Sequence, residues 1–174
     1  NFYEEHPLVS EFIENCEKIN TPTYKSYYIE DYPNNINFIV SKKGFGRNDH
    51  IPTSKKIVLV SAPGASSGKL KVCLSQLYND RLRGIHSGYA KYETFPVWNL
   101  STNHLVNIAY EMATADLYDR NIIDPFYQKA HGKIAINYNR DVDAFPVMSK
   151  MLKMIYGKEV YASPTDMGIN NVGF

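Results

Sequence analysis

The sequence predicts an α/β protein: a lobe with a short, mostly parallel sheet and a strand–Gly/Ser loop–helix unit, followed by a helical lobe. Three observations carry this. Ile57-Val58-Leu59-Val60 is an unbroken aliphatic run, the pattern of a strand buried on both faces of a parallel sheet. It leads through a Gly/Ser-rich stretch into a helical stripe of Leu70, Cys73, Leu74, Leu77 and Tyr78. From Thr102 onward the apolar residues fall at helical spacings. The expected divisions are 1–84 for the α/β lobe, 85–158 for the mainly helical lobe, and 159–174 for the start of a further region.

Each element has its own signal. His6 to Ile19 reads as a helix, with Pro7 in the first turn and Leu8, Val9, Phe12, Ile13, Cys16 and Ile19 at three- and four-residue spacings. Thr21-Pro22 stops it. Tyr24 to Ile29 is rich in β-formers and predicts a strand, closed by the turn cluster Asp31 to Asn35. Ile36 to Val40 predicts a second short strand, and the polar stretch Lys42 to His50 a loop. Gly84 ends the helix that starts at Leu70. Ile85 to Trp98 has no period and predicts an extended, packed segment. Leu105, Val106, Ile108, Ala109, Met112 and Ala113 form the next helical stripe. Asp124-Pro125 caps a short helix closed by Gly132, and Asp141 caps a further helix through Val142, Phe145, Met148, Leu152 and Ile155 to Gly157.

Composition narrows the function classes. The chain of 174 residues is 44% hydrophobic and 21% charged, a globular composition, and 19 basic against 18 acidic residues leave a net charge of +1. That balance gives no field for nucleic acid or an acidic membrane. Tyrosine is abundant at 14, but no basic stripe accompanies it, so base stacking is not the reading. Two cysteines, Cys16 and Cys73, make no disulfide framework and point to a reducing cytoplasm. No apolar run is long enough to span a bilayer. The chain opens on Asn1 rather than Met and stops just after the turn-rich stretch 163–168, which predicts a piece of a longer protein. The aliphatic run 57–60 has few partners within it, so exposed apolar surface and a homo-oligomer are expected.

The most informative stretch is the loop after that run. Glycines let a backbone approach an anion closely, and the free N–H groups and dipole of a helix N-terminus attract phosphate. Gly64, Ser66, Ser67, Gly68 and Lys69 supply that combination, with hydroxyl donors and a point charge added. The Walker pattern is incomplete. Pro63 stands where its first glycine belongs, and Leu70 stands where the magnesium-binding hydroxyl belongs. Phosphate binding without ATP hydrolysis is the expectation.

Other chemistry is thinner. The five histidines are scattered, with no H-E-x-x-H or C-x-x-C, so no metal site is expected. Cys73 lies on an apolar stripe, where a thiol is inert, and no G-x-S-x-G elbow supports a serine hydrolase. Lys91, Glu93, Asn139, Arg140 and Asp141 fall in aperiodic stretches or at helix ends and are the candidate polar pocket residues. Carboxylates there could do acid–base work, and Arg140 could clamp an anion. The plainer alternative is that such residues cap helices or pair locally.

Longer strings carry a resemblance. Ser61-Ala62-Pro63-Gly64 with Ser67-Gly68-Lys69, Cys73 to Tyr78, Gly88 to Leu100, Ala113 to Leu117, Asp124-Pro125-Phe126, Asn137 to Val142 and Ser163 to Gly168 resemble a bacterial family, the domain of unknown function numbered eighteen-forty-six. The resemblance runs from Tyr32 onward. It implies no established activity, and it implies a considerably longer protein with α/β regions before and after this segment. Some family members carry an ATP-dependent zinc peptidase label, whose motif this chain lacks. The family's loop reads A-P-G-P-G-S-G-K; this chain departs from it at Ala65 and Ser66, and the serine stiffens the loop.

Two readings follow. One is an enzyme-like protein binding a phosphorylated small molecule or nucleotide at the 62–70 loop, a transferase or ligase rather than a hydrolase, with polar partners from the helical lobe. The other is a non-catalytic scaffold or oligomerisation module whose polar residues hold an interface. A deep pocket at the loop favours the first and a flat, packed loop the second.

Overall fold

The computed structural model describes residues 3–64, 67–92 and 96–168. The chain divides into two compact units, Asn1–Ser87 and Gly88–Phe174.

In the first unit, α1 spans Pro7–Lys18, as its stripe predicts. Pro7 takes the first helical position, and the His6 ring Nδ1 accepts from the Leu8 N–H at 3.2 Å. None of its residues is buried, so the stripe of Leu8 and Phe12 stays open within this unit.

The two strands expected next do not form. Residues 24–29 form no strand: the Tyr3 and Asp49 N–H groups donate to the Ser26 and Lys25 carbonyls, and side chains take neighbouring N–H groups. Asp49 Oδ2 accepts from the Lys25 N–H at 2.7 Å, and Asn48 Oδ1 accepts from the Tyr27 N–H at 2.8 Å. Ile36–Ile39 is a single helical turn, α2, because Asn35 Oδ1 accepts from the Phe38 N–H at 3.2 Å and closes the turn locally. Ile39 and Phe45 are fully buried. Gly44 is required between them, since a Cβ there would lie 2.2 Å from the Ile39 carbonyl oxygen.

Ile57 to Val60 lies in no strand, so the mostly parallel sheet expected here is not seen among the described residues. A strand needs a neighbour to take its N–H and C=O groups, and the described residues offer none there.

The helix α3, Lys69–Leu82, does follow the loop. Its buried face is not the apolar stripe that the spacing suggests. Leu74 and Leu77 are buried, but so are Lys71, Ser75, Asn79 and Asp80, while Leu70 and Cys73 are only half-buried. These polar residues bind the helix to the 3-10 turn Phe45–Arg47 and the residues after it. Ser75 Oγ and Asn79 Nδ2 both donate to the Phe45 carbonyl, at 3.1 and 3.0 Å. Gln76 brackets Ile51, accepting from its N–H and donating to its carbonyl. His50 Nε2 lies 2.8 Å from Asp80 Oδ1.

The second unit is mainly helical. α4 (Leu105–Ala113) is followed by β1 (Asn121–Ile123), α5 (Pro125–His131), β2 (Ile136–Tyr138), α6 (Asn139–Tyr156) and α7 (Pro164–Met167). β1 and β2 pair antiparallel in register Asn121↔Tyr138, Ile122↔Asn137 and Ile123↔Ile136, the one sheet among the described residues. α6 starts two residues before the expected cap, so Asp141 sits in its first turn. Its apolar face, Val142, Phe145, Met148, Met151, Leu152 and Ile155, is buried.

Buried polar side chains lock this unit. Asp124 caps α5 through Oδ1, accepting from the Phe126 and Tyr127 N–H groups. Its Oδ2 accepts from the Thr165 hydroxyl at 2.6 Å and so ties α5 to α7. Asn107, fully buried, accepts from the Val97 N–H at 2.8 Å and donates to the Val97, Leu100 and Ser101 carbonyls. That network holds part of the aperiodic segment in place.

Candidate functional site

The loop before α3 is the site the first unit offers. Gly68 is the N-cap, with φ of 91° and ψ of 10°, and a Cβ there would meet nothing. Backbone conformation, not space, therefore selects glycine at this position. Gly68 also brings no side chain to close the first-turn N–H groups, while its carbonyl accepts the first helical bond from Val72 at 3.0 Å. Ser67 Oγ donates to the Gly64 carbonyl at 2.7 Å, and Lys69 Nζ donates to the same oxygen at 3.0 Å. The lysine thus folds back over the loop mouth. Gly64, Ser67 and Gly68 are exposed. Ser66 lies outside the described residues.

The electrostatics of this turn are unusual. Carboxylates stabilise helix N-termini and cations destabilise them. The first turn of α3 holds no acid and has lysines at 69 and 71. Lys71 is buried and donates to Ser26 Oγ at 2.9 Å and to the Tyr27 carbonyl. Burial pushes its ammonium down to about 8. Spacing does not single out Lys71, because the face of α3 that is buried is not the apolar stripe the sequence shows.

The pocket residues expected from the helical lobe lie in the second unit and are paired within it. Lys91 Nζ donates to Asp141 Oδ1 at 2.6 Å, and Arg140 Nη2 donates to Asp119 Oδ2 at 2.9 Å. Asn139 Oδ1 accepts from the Arg120 N–H at 2.7 Å, so it closes the chain beside β1. Glu93 lies outside the described residues. An open cavity of about 500 Å³ is lined by Glu111, Tyr118, Asp119, Arg120 and Asn139 among others. The residue that reading the sequence missed is Asp119, which no periodicity or cap marks. Its side chain is buried, and its Oδ1 has no hydrogen-bond partner among the described residues. Burial pushes its carboxyl upward, with the Arg140 guanidinium pulling the other way.

Among the described residues no group of three or more His, Cys, Asp and Glu side chains could hold a metal ion, and no helix is long and apolar enough to cross a membrane. His131 pairs with Asp166 at 2.9 Å, and His50 with Asp80.

Comparison with known proteins places these features in a family. The chain is similar to a UPF0371 protein of Streptococcus pyogenes serotype M5 (strain Manfredo), 52% identical over 172 residues, covering 99% of this chain and 35% of the relative. It is 54% identical, over the same shares, to UPF0371 proteins of Streptococcus thermophilus (strain CNRZ 1066) and of Streptococcus equi subsp. zooepidemicus (strain MGCS10565). The chain spans about a third of the length of these curated relatives. The family model described as "Domain of unknown function DUF1846, N-terminal" matches residues 1–174, and the chain belongs to that family of uncharacterised bacterial proteins.

Proposed function

We propose that the loop from Gly64 to Lys69 binds the phosphate of a small phosphorylated molecule or nucleotide. One observation carries this reading: the first turn of α3 places two lysines and no carboxylate at the positive end of a helix whose N-cap is a left-handed glycine. Such a turn is self-repelling when empty, and an anion at its mouth relieves the repulsion. Lys69 would meet the phosphate directly, whereas Lys71, held on Ser26 and Tyr27, adds field without contact. Both cysteines are free, which supports a cytoplasmic protein.

The test is calorimetric titration of ADP and of inorganic phosphate into the protein. Lys69→Ala should weaken binding by about 1–3 kcal/mol, the value of a hydrogen bond to a charged group. Equal affinity for wild type and variant removes the reading. Magnesium-dependent hydrolysis is not part of it, because Leu70 replaces the hydroxyl that would hold the metal. Leu70→Ser alone should leave turnover absent.

A second reading, a scaffold rather than a catalyst, is favoured for the other unit by the pairing of Lys91 with Asp141 and of Arg140 with Asp119. Charges that satisfy one another inside a fold hold it together.

A further inference from the structure

We propose that residues 57–60 are a central strand of a sheet that is completed by the part of the protein beyond these 174 residues. Ile57, Val58, Leu59 and Val60 are 88%, 54%, 80% and 38% exposed, four consecutive aliphatic residues left in water. Paired as a strand, the segment would turn Ile57 and Leu59 to one side and Val58 and Val60 to the other. Both faces are therefore apolar, the pattern of a strand covered on both sides rather than of an edge. Its backbone is equally open: no backbone–backbone hydrogen bond reaches residues 52–62 among the described residues. A row of free N–H and C=O groups on an aliphatic segment is a template for strand pairing.

The occupant follows from what must be covered. A second copy pairing edge to edge would satisfy one edge and leave both faces wet. Two flanking strands and a layer on each face require a larger body of chain, and the curated relatives carry about two thirds of their length outside the matched region. The helix after the loop agrees. Leu70 and Cys73, on the apolar stripe of α3, are only half-buried, which leaves that stripe surface to lay on a sheet. This inference does not depend on phosphate binding, since the strand and the α3 N-terminus are separate groups.

Hydrogen exchange on the full-length family protein containing this segment tests it. The amides of Val58, Leu59 and Val60 should exchange about a thousandfold or more slower than unstructured amides, as buried ladder hydrogens do. Exchange at the unstructured rate overturns the proposal. Protection that grows with protein concentration also overturns it, because it assigns the strand to a second copy. Leu59→Asp in the same full-length protein should lower its melting temperature, and an unchanged melting temperature contradicts the proposal. Retained phosphate titration alongside unprotected amides would remove the strand while leaving the anion loop standing.

Discussion

The two units solve the problem of holding a chain together in opposite ways. The second buries the continuous apolar face of α6, with Phe145, Met148, Leu152 and Ile155 inside, and adds polar locks at Asp124 and Asn107. The first relies on hydrogen bonds between α3 and the 3-10 turn Phe45–Arg47, while its longest aliphatic run and the stripe of α1 stay exposed. An apolar pattern in sequence states that a surface is to be covered; it does not state that the cover lies in the same stretch of chain.

The contrast can be broken first in the second unit. Phe145→Ala should destabilise it by about 3–5 kcal/mol, since a buried ring leaves a cavity that the helix cannot close. The measurement is denaturant unfolding, and a loss below 1 kcal/mol would mean that α6 does not organise this core. Asp124→Ala should come next, at about 2–3 kcal/mol, because it strips the cap of α5 and leaves the Thr165 hydroxyl without its acceptor. Asp124→Asn, which keeps an oxygen for the cap, should recover part of the loss.

How far the sequence reaches follows the same division. α1, α3, α5 and α6 were legible because their spacings and their Pro7, Asp124 and Gly157 signals are local. The strands expected at 24–29 and 36–40 were not, because Asn48, Asp49 and Asn35 side chains take the backbone groups that a ladder would use. Residue pattern cannot show which of two acceptors wins. The loop residues Gly64, Ser67, Gly68 and Lys69 do gather before one helix N-terminus. Lys91, Arg140 and Asp141 instead found partners within the second unit, one of them Asp119, a residue with no sequence signal.

A pH series sharpens the first unit's side of the comparison. Lys71 falls from an ordinary value of 10.5 to about 8 on folding. Between those values the unfolded chain holds more protons than the folded one, so this lysine makes stability rise as pH increases from about 8 toward 10.5. Below about pH 8 its burial cost is fully present. The hydroxyls of Tyr32 and Tyr78, both raised by partial desolvation from 10.0, pull the other way at the top of the window. The diagnostic is therefore the difference from Lys71→Met between pH 8 and 10: the wild type should gain stability relative to the variant. A constant difference would place Lys71 in solvent. The smallest effect belongs to α1, where Phe12→Ser should change the unfolding free energy of this unit by no more than about 0.5 kcal/mol.

The proposal that the loop before α3 holds phosphate is checked residue by residue with amide chemical shifts followed during a phosphate titration. Binding at the α3 N-terminus should move the N–H signals of Gly68, Lys69 and Leu70 most, saturably, and Lys69→Ala should shift the midpoint to higher phosphate. Shifts confined to the residues around Asp119 and Arg140, or none that saturate, would contradict it.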